Sequence, residues 1–249
     1  MDHSPPFLAT YKSLFGGQQA IDTETEVVEC CDLPLIDLSR LNSVLEAAQC
    51  KQDIVTAASE WGFFQIVNHG IADGLLARLR EEQVKRFRQP FKQKASEKLL
   101  DFSDDSYRWG TPTATSLKHL SWSEAYHIPL SSSNKPARSS TIRWFTVRPN
   151  PNTLVINIGD LETEKPGVFM GMQAWSNGLY KSVEHRVMPN PHLERFSVAY
   201  FMCPSNETVI ESSAQPAIYR KFNFGEYRQQ VQQDVRRTGH KVGLTRFLA

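Results

Sequence analysis

Cysteine is scarce in this sequence, and long apolar runs are missing from it. The 249 residues include four cysteines, Cys30, Cys31, Cys50 and Cys203, without the CxxC spacing that is typical of zinc and redox sites. We therefore expect reduced thiols in a cytoplasmic protein. Because no run of about 18 apolar residues occurs, no membrane span is predicted. The first 14 residues do not have the pattern of a secretory signal.

An excess of charge of either sign is also missing. Lys plus Arg number 28 and Asp plus Glu number 27, which gives a formal net charge of +1 at pH 7. Such a balance gives no electrostatic reason to expect nucleic acid or an anionic membrane as a partner. Hydrophobic residues make up 40% and charged residues 22% of the chain, as in ordinary globular proteins. The length suits one large domain or two small ones.

Periodic apolar patterns predict the local structure. Helical spacing predicts helices over residues 52–61, 73–87 and 225–237. In the second helix Asp73 is the expected N-cap, and the expected buried stripe consists of Leu75, Leu76, Leu79 and Val84. Strands are predicted over residues 33–38, 63–67, 122–128, 144–147, 154–158, 181–187 and 196–201. This order predicts a mixed α/β (α+β) fold with a β-sandwich core and packed helices.

Several longer motifs resemble one family. They are residues 61–70 (WGFFQIVNHG), 157–160 (NIGD), 173–178 (QAWSNG), 181–187 (KSVEHRV) and 195–200 (RFSVAY). In this order they resemble plant 2-oxoglutarate- and Fe(II)-dependent dioxygenases. Residues 106–110 (SYRWG), 120–130 (LSWSEAYHIPL) and 238–244 (TGHKVGL) resemble the gibberellin 2-oxidases of that family, particularly the group that acts on C20 gibberellins. The resemblance runs from about Leu33 to the C-terminus with two breaks.

The resemblance implies a fold and a division of the chain. The implied fold has N-terminal helices and a double-stranded β-helix (jelly-roll) core that lacks several strands. The implied segments are a poorly ordered arm (1–30), an N-terminal dioxygenase region (31–130), a linker in place of a missing segment (131–143) and the remaining C-terminal part of the dioxygenase domain (144–249).

The resemblance also implies a site for Fe(II) and for 2-oxoglutarate, with ascorbate as an additional small molecule. His185 matches the second histidine ligand of the iron. Arg195 matches the partner of the distal carboxylate of 2-oxoglutarate, and Ser197 a further hydrogen-bond donor to it. The implied substrate is a gibberellin-like diterpenoid acid that is hydroxylated at C2, and the implied protein is a monomer. The candidates for substrate contact are Tyr107, Arg108 and Trp109.

One motif of the family has no counterpart here. The family's first two iron ligands form a His-x-Asp motif upstream of the second histidine. Of the seven histidines, His192 alone is followed two positions later by a carboxylate, Glu194, and it lies in a predicted turn that should point away from the site. In the family the missing motif, and a tyrosine that contacts 2-oxoglutarate, belong to the segment that residues 131–143 replace. Residues 162–172 are an insertion.

Three interpretations follow from these observations. The chain is an oxygenase that inactivates a gibberellin, or a truncated or alternatively spliced remnant that acts, if at all, as a binding protein, or a chain that does not fold stably. The third interpretation arises because missing strands leave unpaired edges, and the net stability of an intact domain is about 5–15 kcal/mol.

Overall fold

The computed structural model describes residues 29–96, 107–110, 123–126, 145–148, 150, 152–159, 173–183, 185, 194–238 and 242–249. The strands are β1 (Glu29–Cys31), β2 (Leu35–Asp37), β3 (Phe63–Val67), β4 (Tyr107–Trp109), β5 (Glu124–Tyr126), β6 (Phe145–Val147), β7 (Leu154–Asn157), β8 (Val209–Ile210) and β9 (Phe222–Asn223). The α-helices are α1 (Ala47–Glu60), α2 (Asp73–Phe87), α3 (Phe91–Ser96) and α4 (Phe224–Thr238). Two 3-10 helices span Leu38–Asn42 and Gly243–Phe247.

The chain divides into two compact units that alternate along the sequence. The described residues of Ala72–Ser133 and Val187–Val198 belong to the smaller unit. Those of Val27–Ile71, Asn134–Arg186 and Ala199–Ala249 belong to the larger unit. The four consecutive segments implied by the sequence stay a prediction.

A three-stranded sheet organises the first half of the larger unit. Its order is β2-β3-β7, with β2 parallel and β7 antiparallel to β3. The apolar run that predicts a strand over residues 63–67 forms β3 with the same bounds, and α1 packs against this sheet. Helix α1 begins five residues before the predicted helix, at Ala47. The buried core here consists of Ile36, Cys50, Ala57, Ala58, Phe64, Ile66 and Ile158.

The C-terminal helix α4 anchors a second core in the larger unit. Its bounds confirm the helix predicted over residues 225–237, and its residues Tyr227 and Val231 are buried. The ring of Phe247 lies 4.3 Å from that of Phe222. The buried residues of this core are Ala174, Ile210, Tyr219, Phe222, Phe224, Tyr227, Val231, Leu244 and Phe247.

A buried ion pair ties α4 to the 3-10 helix that follows it. Asp234 accepts from Arg246 Nε at 3.1 Å and from Nη2 at 2.8 Å. This bidentate bond is the main reason why the pKa of Asp234 lies below its usual 3.8, although burial opposes the shift. Because the folded pKa is depressed, the stabilisation is present at neutral pH and is lost as pH falls through the folded value.

We therefore expect Arg246→Ala to lower the free energy of unfolding at pH 7 by about 2–3 kcal/mol, since it leaves a buried carboxylate without its main partner. Urea denaturation measures this difference, and it should shrink once the pH falls below the usual pKa of Asp234, 3.8. A difference that does not change with pH would show that packing of the Arg246 side chain, rather than its charge, is responsible.

The described residues of the smaller unit include a polar cluster around a buried lysine. Lys94 of α3 is 2% exposed, and its ammonium donates to Glu124 Oε1 and, at 2.8 Å, to the carbonyl of Phe87. Tyr107 Oη donates to the same carboxylate oxygen at 2.7 Å. The antiparallel pair β4–β5 places Tyr107 opposite Tyr126. Glu124 thus connects helix α3 with the strand pair β4–β5.

The predicted ends and faces of α2 are partly wrong. The helix itself runs from Asp73 to Phe87 as predicted, but its N-cap is Ala72, and no side-chain cap forms. In the predicted stripe Leu75 and Leu79 are 52% and 45% exposed, and neither core contains a residue of α2. Periodicity identified the helix but overestimated its burial, because the two apolar cores of the described residues lie outside the smaller unit.

Other predicted strands differ from the structure as well. Residues 181–183 and 185 of the strand predicted over 181–187, and all of 196–201, form no strand. In the second segment Val198, Tyr200 and Phe201 are exposed. A strand needs a neighbour for its backbone groups, and no described strand pairs with either segment. Conversely, β1 pairs with β6 in parallel, so Glu29 and Cys30 of the predicted arm are strand residues. The linker implied over residues 131–143 lies outside the described residues.

Within the described residues, no helix has the length and apolar content required to cross a membrane.

Candidate iron and oxo-acid site

His185 belongs to the larger unit. The segment before it contacts helix α1 and the turn that precedes β3. The amide of Lys181 donates to the carbonyl of Ala58 at 3.1 Å. Gly62, with φ +68°, lies very close to the same segment. A Cβ added at Gly62 would stand 2.4 Å from the Lys181 carbonyl oxygen and 2.6 Å from the Val183 side chain. Only glycine fits this position without strain. The turn between α1 and β3 therefore fixes the approach of the histidine segment.

The imidazole of His185 is held by three neighbours. Its Nδ1 lies 3.1 Å from the carbonyl oxygen of Val183. Since a carbonyl oxygen can only accept, Nδ1 carries the hydrogen and Nε2 presents its lone pair. The side-chain amide of Asn157 lies over the ring, with Nδ2 3.0 Å from Nε2 and 3.5 Å from Nδ1. The ring of Phe63, which is opposite Asn157 in the β3–β7 register, contacts the imidazole edge-on at 5.1 Å.

Arg195 and Ser197 belong to the smaller unit, in a segment attached to α2. Phe196 between them is half-buried, with its ring 6.0 Å from that of Phe87. Gln83 donates to the carbonyl of Ser197 at 2.7 Å. The side chains of Arg195 and Ser197 are both exposed, and among the described residues Arg195 has no ion-pair partner. The guanidinium is available for a carboxylate from outside the chain.

The structure places the candidate substrate residues in the polar cluster of the smaller unit. The hydroxyl of Tyr107 is committed to Glu124, and burial, followed by this hydrogen bond, raises the pKa of Tyr107 far above its usual 10.0. Trp109 is half-buried in the same strand, while the side chain of Arg108 lies outside the described residues. The structure therefore gives Tyr107 a structural contact, and its contact with a substrate stays a prediction.

Because His185 belongs to one unit and Arg195 and Ser197 to the other, their joint site also stays a prediction. Sequence reasoning gave no role to Asn157, although it quoted the NIGD motif that begins with this residue. No local signal could have found the contact, since 28 residues separate Asn157 from His185 and only the folded chain brings them together.

Comparison with known proteins identifies the family that carries these motifs. The profile described as non-haem dioxygenase in morphine synthesis N-terminal matches residues 33–150, and that of the 2OG-Fe(II) oxygenase superfamily matches residues 128–204. Gibberellin 2-beta-dioxygenase 5 of Oryza sativa subsp. japonica is 38% identical, over 98% of this chain and 96% of the relative. Gibberellin 2-beta-dioxygenase 8 of Arabidopsis thaliana is 41% identical, over 90% and 89%.

Solved structures share the fold. The crystal structure of JOX2 in complex with 2OG, Fe and JA superimposes with a TM-score of 0.60 at 20% identity, covering 91% of this chain and 94% of that one. The rice dioxygenase for auxin oxidation gives a TM-score of 0.54 at 18% identity, covering 87% and 100%. These matches confirm the predicted fold class, the partial double-stranded β-helix of a 2-oxoglutarate oxygenase.

The chain thus belongs to the 2-oxoglutarate- and Fe(II)-dependent dioxygenases, a family of oxidoreductases that use Fe(II) and 2-oxoglutarate. Within that class it belongs with the plant gibberellin 2-beta-dioxygenases. Both conclusions confirm the sequence-based resemblance. The alignment with the rice relative spans 344 positions, more than the 249 residues of this chain, so the relative contains internal residues without a counterpart here.

The residues of this chain do not complete the iron site of the family. The facial arrangement needs two histidines and a carboxylate on one face of the metal. The sequence lacks the His-x-Asp motif, and no group of three or more His, Cys, Asp or Glu among the described residues could hold a metal ion. The resemblance therefore matches only one of the three ligands, His185, and its role as a ligand stays a prediction.

Proposed function

We propose that the ligands of this chain are 2-oxoglutarate and a gibberellin-like diterpenoid acid. The reaction of its lineage is hydroxylation of that acid at C2, which inactivates the hormone, coupled to decarboxylation of 2-oxoglutarate. The observation that carries the proposal is the identity to four gibberellin 2-beta-dioxygenases, 32–41% over most of the chain. The exposed guanidinium of Arg195, which has no ion-pair partner among the described residues, supports the binding of an acid, since its planar fork matches a carboxylate.

A second candidate is a binding protein that recognises these acids without turnover. The incomplete ligand set around His185 favours it, because a lone imidazole cannot supply the facial arrangement that the reaction requires. For the isolated chain we expect this outcome: retained recognition of an acid and no sustained oxidation.

One experiment separates the two candidates. The full chain is purified without oxygen, Fe(II) and 2-oxoglutarate are added, and the metal-to-ligand absorption band and succinate are measured with and without a gibberellin. Calorimetry under the same conditions measures binding of each acid. Succinate formation comparable to that of a full-length relative would contradict the second candidate. Failure of the folded chain to bind either acid would contradict the proposed function as a whole.

Arg195→Ala should weaken the binding of 2-oxoglutarate about 10–100-fold, the equivalent of losing a hydrogen bond to a charged group. Arg195→Lys should recover only part of the affinity, because an ammonium cannot bind both carboxylate oxygens as the fork does. Arg220→Ala is the matched control, since it removes an exposed arginine that is paired with Glu226 in the larger unit. Equal affinities for all three variants would contradict a role of Arg195 in binding.

We also propose that the protein is a cytoplasmic monomer. The four free cysteines support a reducing compartment. Light scattering of the purified chain and the location of a fluorescent fusion test the two parts of this proposal.

A further inference from the structure

We propose that Asn177 and Gly178 form a modification site, at which the side-chain amide of Asn177 is lost by deamidation whenever the turn that contains it opens. Asparagine followed by glycine is the pair at which this reaction is least hindered, since glycine has no side chain beside the attacking nitrogen. The sequence contains one such pair. The inference goes beyond the proposed function and does not depend on it.

The reaction needs water as its only co-reactant. The backbone nitrogen of Gly178 loses its proton to hydroxide and attacks the side-chain carbonyl carbon (Cγ) of Asn177, so that a new C–N bond forms. The bond from Cγ to Nδ2 breaks, and ammonia leaves after taking up a proton from water. Water then opens the cyclic imide and gives aspartate or isoaspartate, and nothing is oxidised or reduced. Both the Gly178 amide and the Asn177 side chain must therefore be free to move.

In the folded chain the attacking nitrogen is engaged. The amide of Gly178 donates to the carbonyl of Gln173 at 2.7 Å, and that of Asn177 donates to the carbonyl of Ala174 at 3.2 Å. Both Asn177 and Gly178 have left-handed backbones, with φ +53° and +81°. A hydrogen-bonded amide loses its proton to hydroxide only when the structure around it opens, as in hydrogen exchange. The turn therefore withholds the nucleophile.

The side chain of Asn177 is held as well. Its Oδ1 accepts from Ser212 Oγ and from the amide of Ile218, each at 2.7 Å, and its Nδ2 donates to the carbonyl of Pro216 at 3.0 Å. Two donors on Oδ1 polarise the carbonyl, which by itself favours attack. The restraint outweighs this effect, because the bonds to residues 212–218 must break before Cγ can turn towards the Gly178 nitrogen.

The product does not restore these contacts. A carboxylate at position 177 has no donor for the carbonyl of Pro216, so two acceptors would face each other. Isoaspartate also lengthens the backbone by one carbon, in a turn that contains the buried Ala174. A single opening of the turn can thus leave a permanent mark, and marked molecules open more easily.

The first test compares the full natural chain in buffer and in urea at the same pH and temperature. Mass spectrometry of proteolytic peptides measures the conversion of Asn177 over time. We expect conversion to be about 100-fold slower in the folded chain, because the reaction must wait for an opening of the turn. Conversion at equal rates in buffer and in urea, or no conversion in urea, would overturn the inference.

The second test separates restraint from polarisation. Ser212→Ala removes one donor to Asn177 Oδ1 and should speed conversion in the folded chain about 2–10-fold, the equivalent of one hydrogen bond. In urea it should have no effect. Ser59→Ala is the matched control, because it removes a serine hydroxyl that binds a backbone carbonyl within α1. A Ser212→Ala rate that is equal to or lower than the natural one would contradict the restraint.

The third test concerns the product. Asn177→Asp represents the deamidated chain and should unfold at a lower urea concentration than the natural chain. Asn152→Asp is the matched control, since it makes the same substitution at another exposed asparagine with a left-handed backbone, φ +61°, and should leave the midpoint unchanged. Equal midpoints for Asn177→Asp and the natural chain would show that deamidation does not make the turn open more easily.

Discussion

Glu124→Ala should lower the free energy of unfolding by about 3–5 kcal/mol, because it leaves the buried ammonium of Lys94 without its carboxylate. Lys94 is 2% exposed, so water cannot replace the lost partner, and the hydroxyl of Tyr107 loses its acceptor at the same time. Urea denaturation of the natural chain and the variant, followed by circular dichroism, measures the difference.

The control is a variant that removes both charges. Lys94→Met combined with Glu124→Ala should be markedly more stable than Glu124→Ala alone, since a buried ion pair costs most when only one partner is left. Similar stabilities of the single and double variants would show that the carboxylate acts through packing. If Glu124→Ala is as stable as the natural chain, the polar cluster does not hold the strand pair β4–β5 against helix α3.

Gly62→Ala should cost about 2–5 kcal/mol, the sum of a left-handed backbone at a residue with a Cβ and of overpacking. Its added carbon would stand 2.4 Å from the carbonyl oxygen of Lys181, so the segment that leads to His185 must shift. The contact of the Asn157 amide with the imidazole should change with it. Denaturation measures the stability, and nuclear magnetic resonance of the imidazole nitrogens reports the contact.

Gly70→Ala separates the two causes. Gly70 also has a positive φ, +78°, but nothing lies within 4 Å of the position of an added Cβ. This variant should therefore cost only the backbone strain, about 1–2 kcal/mol, and leave the signals of His185 unchanged. If both variants cost the same, contact with the histidine segment contributes nothing to the requirement for glycine at position 62.

Local pattern was sufficient to predict the elements whose formation depends on nearby residues. β3 and the helix over residues 73–87 have their predicted bounds, and α4 differs by one residue at each end. The predictions failed where an element depends on a distant partner. The apolar run at residues 196–201 predicts a strand, yet no described strand pairs with it. The apolar stripe of α2 belongs to neither core of the described residues.

The sequence was sufficient to predict those parts of the site that belong to family motifs. The family, its cofactor and its co-substrate followed from quoted segments, and the comparisons confirm them. The contact between Asn157 and His185 could not be predicted from the sequence, because it depends on the register of β7 against β3 and on the turn at Gly62. Likewise, no spacing in the sequence indicates that Lys94 is buried or that Glu124, 30 residues later, is its partner.

The exposed segment that ends in Phe201 bears on how long the protein lasts in a cell. Val198, Tyr200 and Phe201 are 60–69% exposed, and an exposed apolar stretch is the kind of surface that chaperones and proteases recognise. Opening of the fold is not needed to reveal it. We expect the abundance of this protein to be governed by its rate of degradation more than by its rate of synthesis, with a half-life well below that of a relative whose strands are complete.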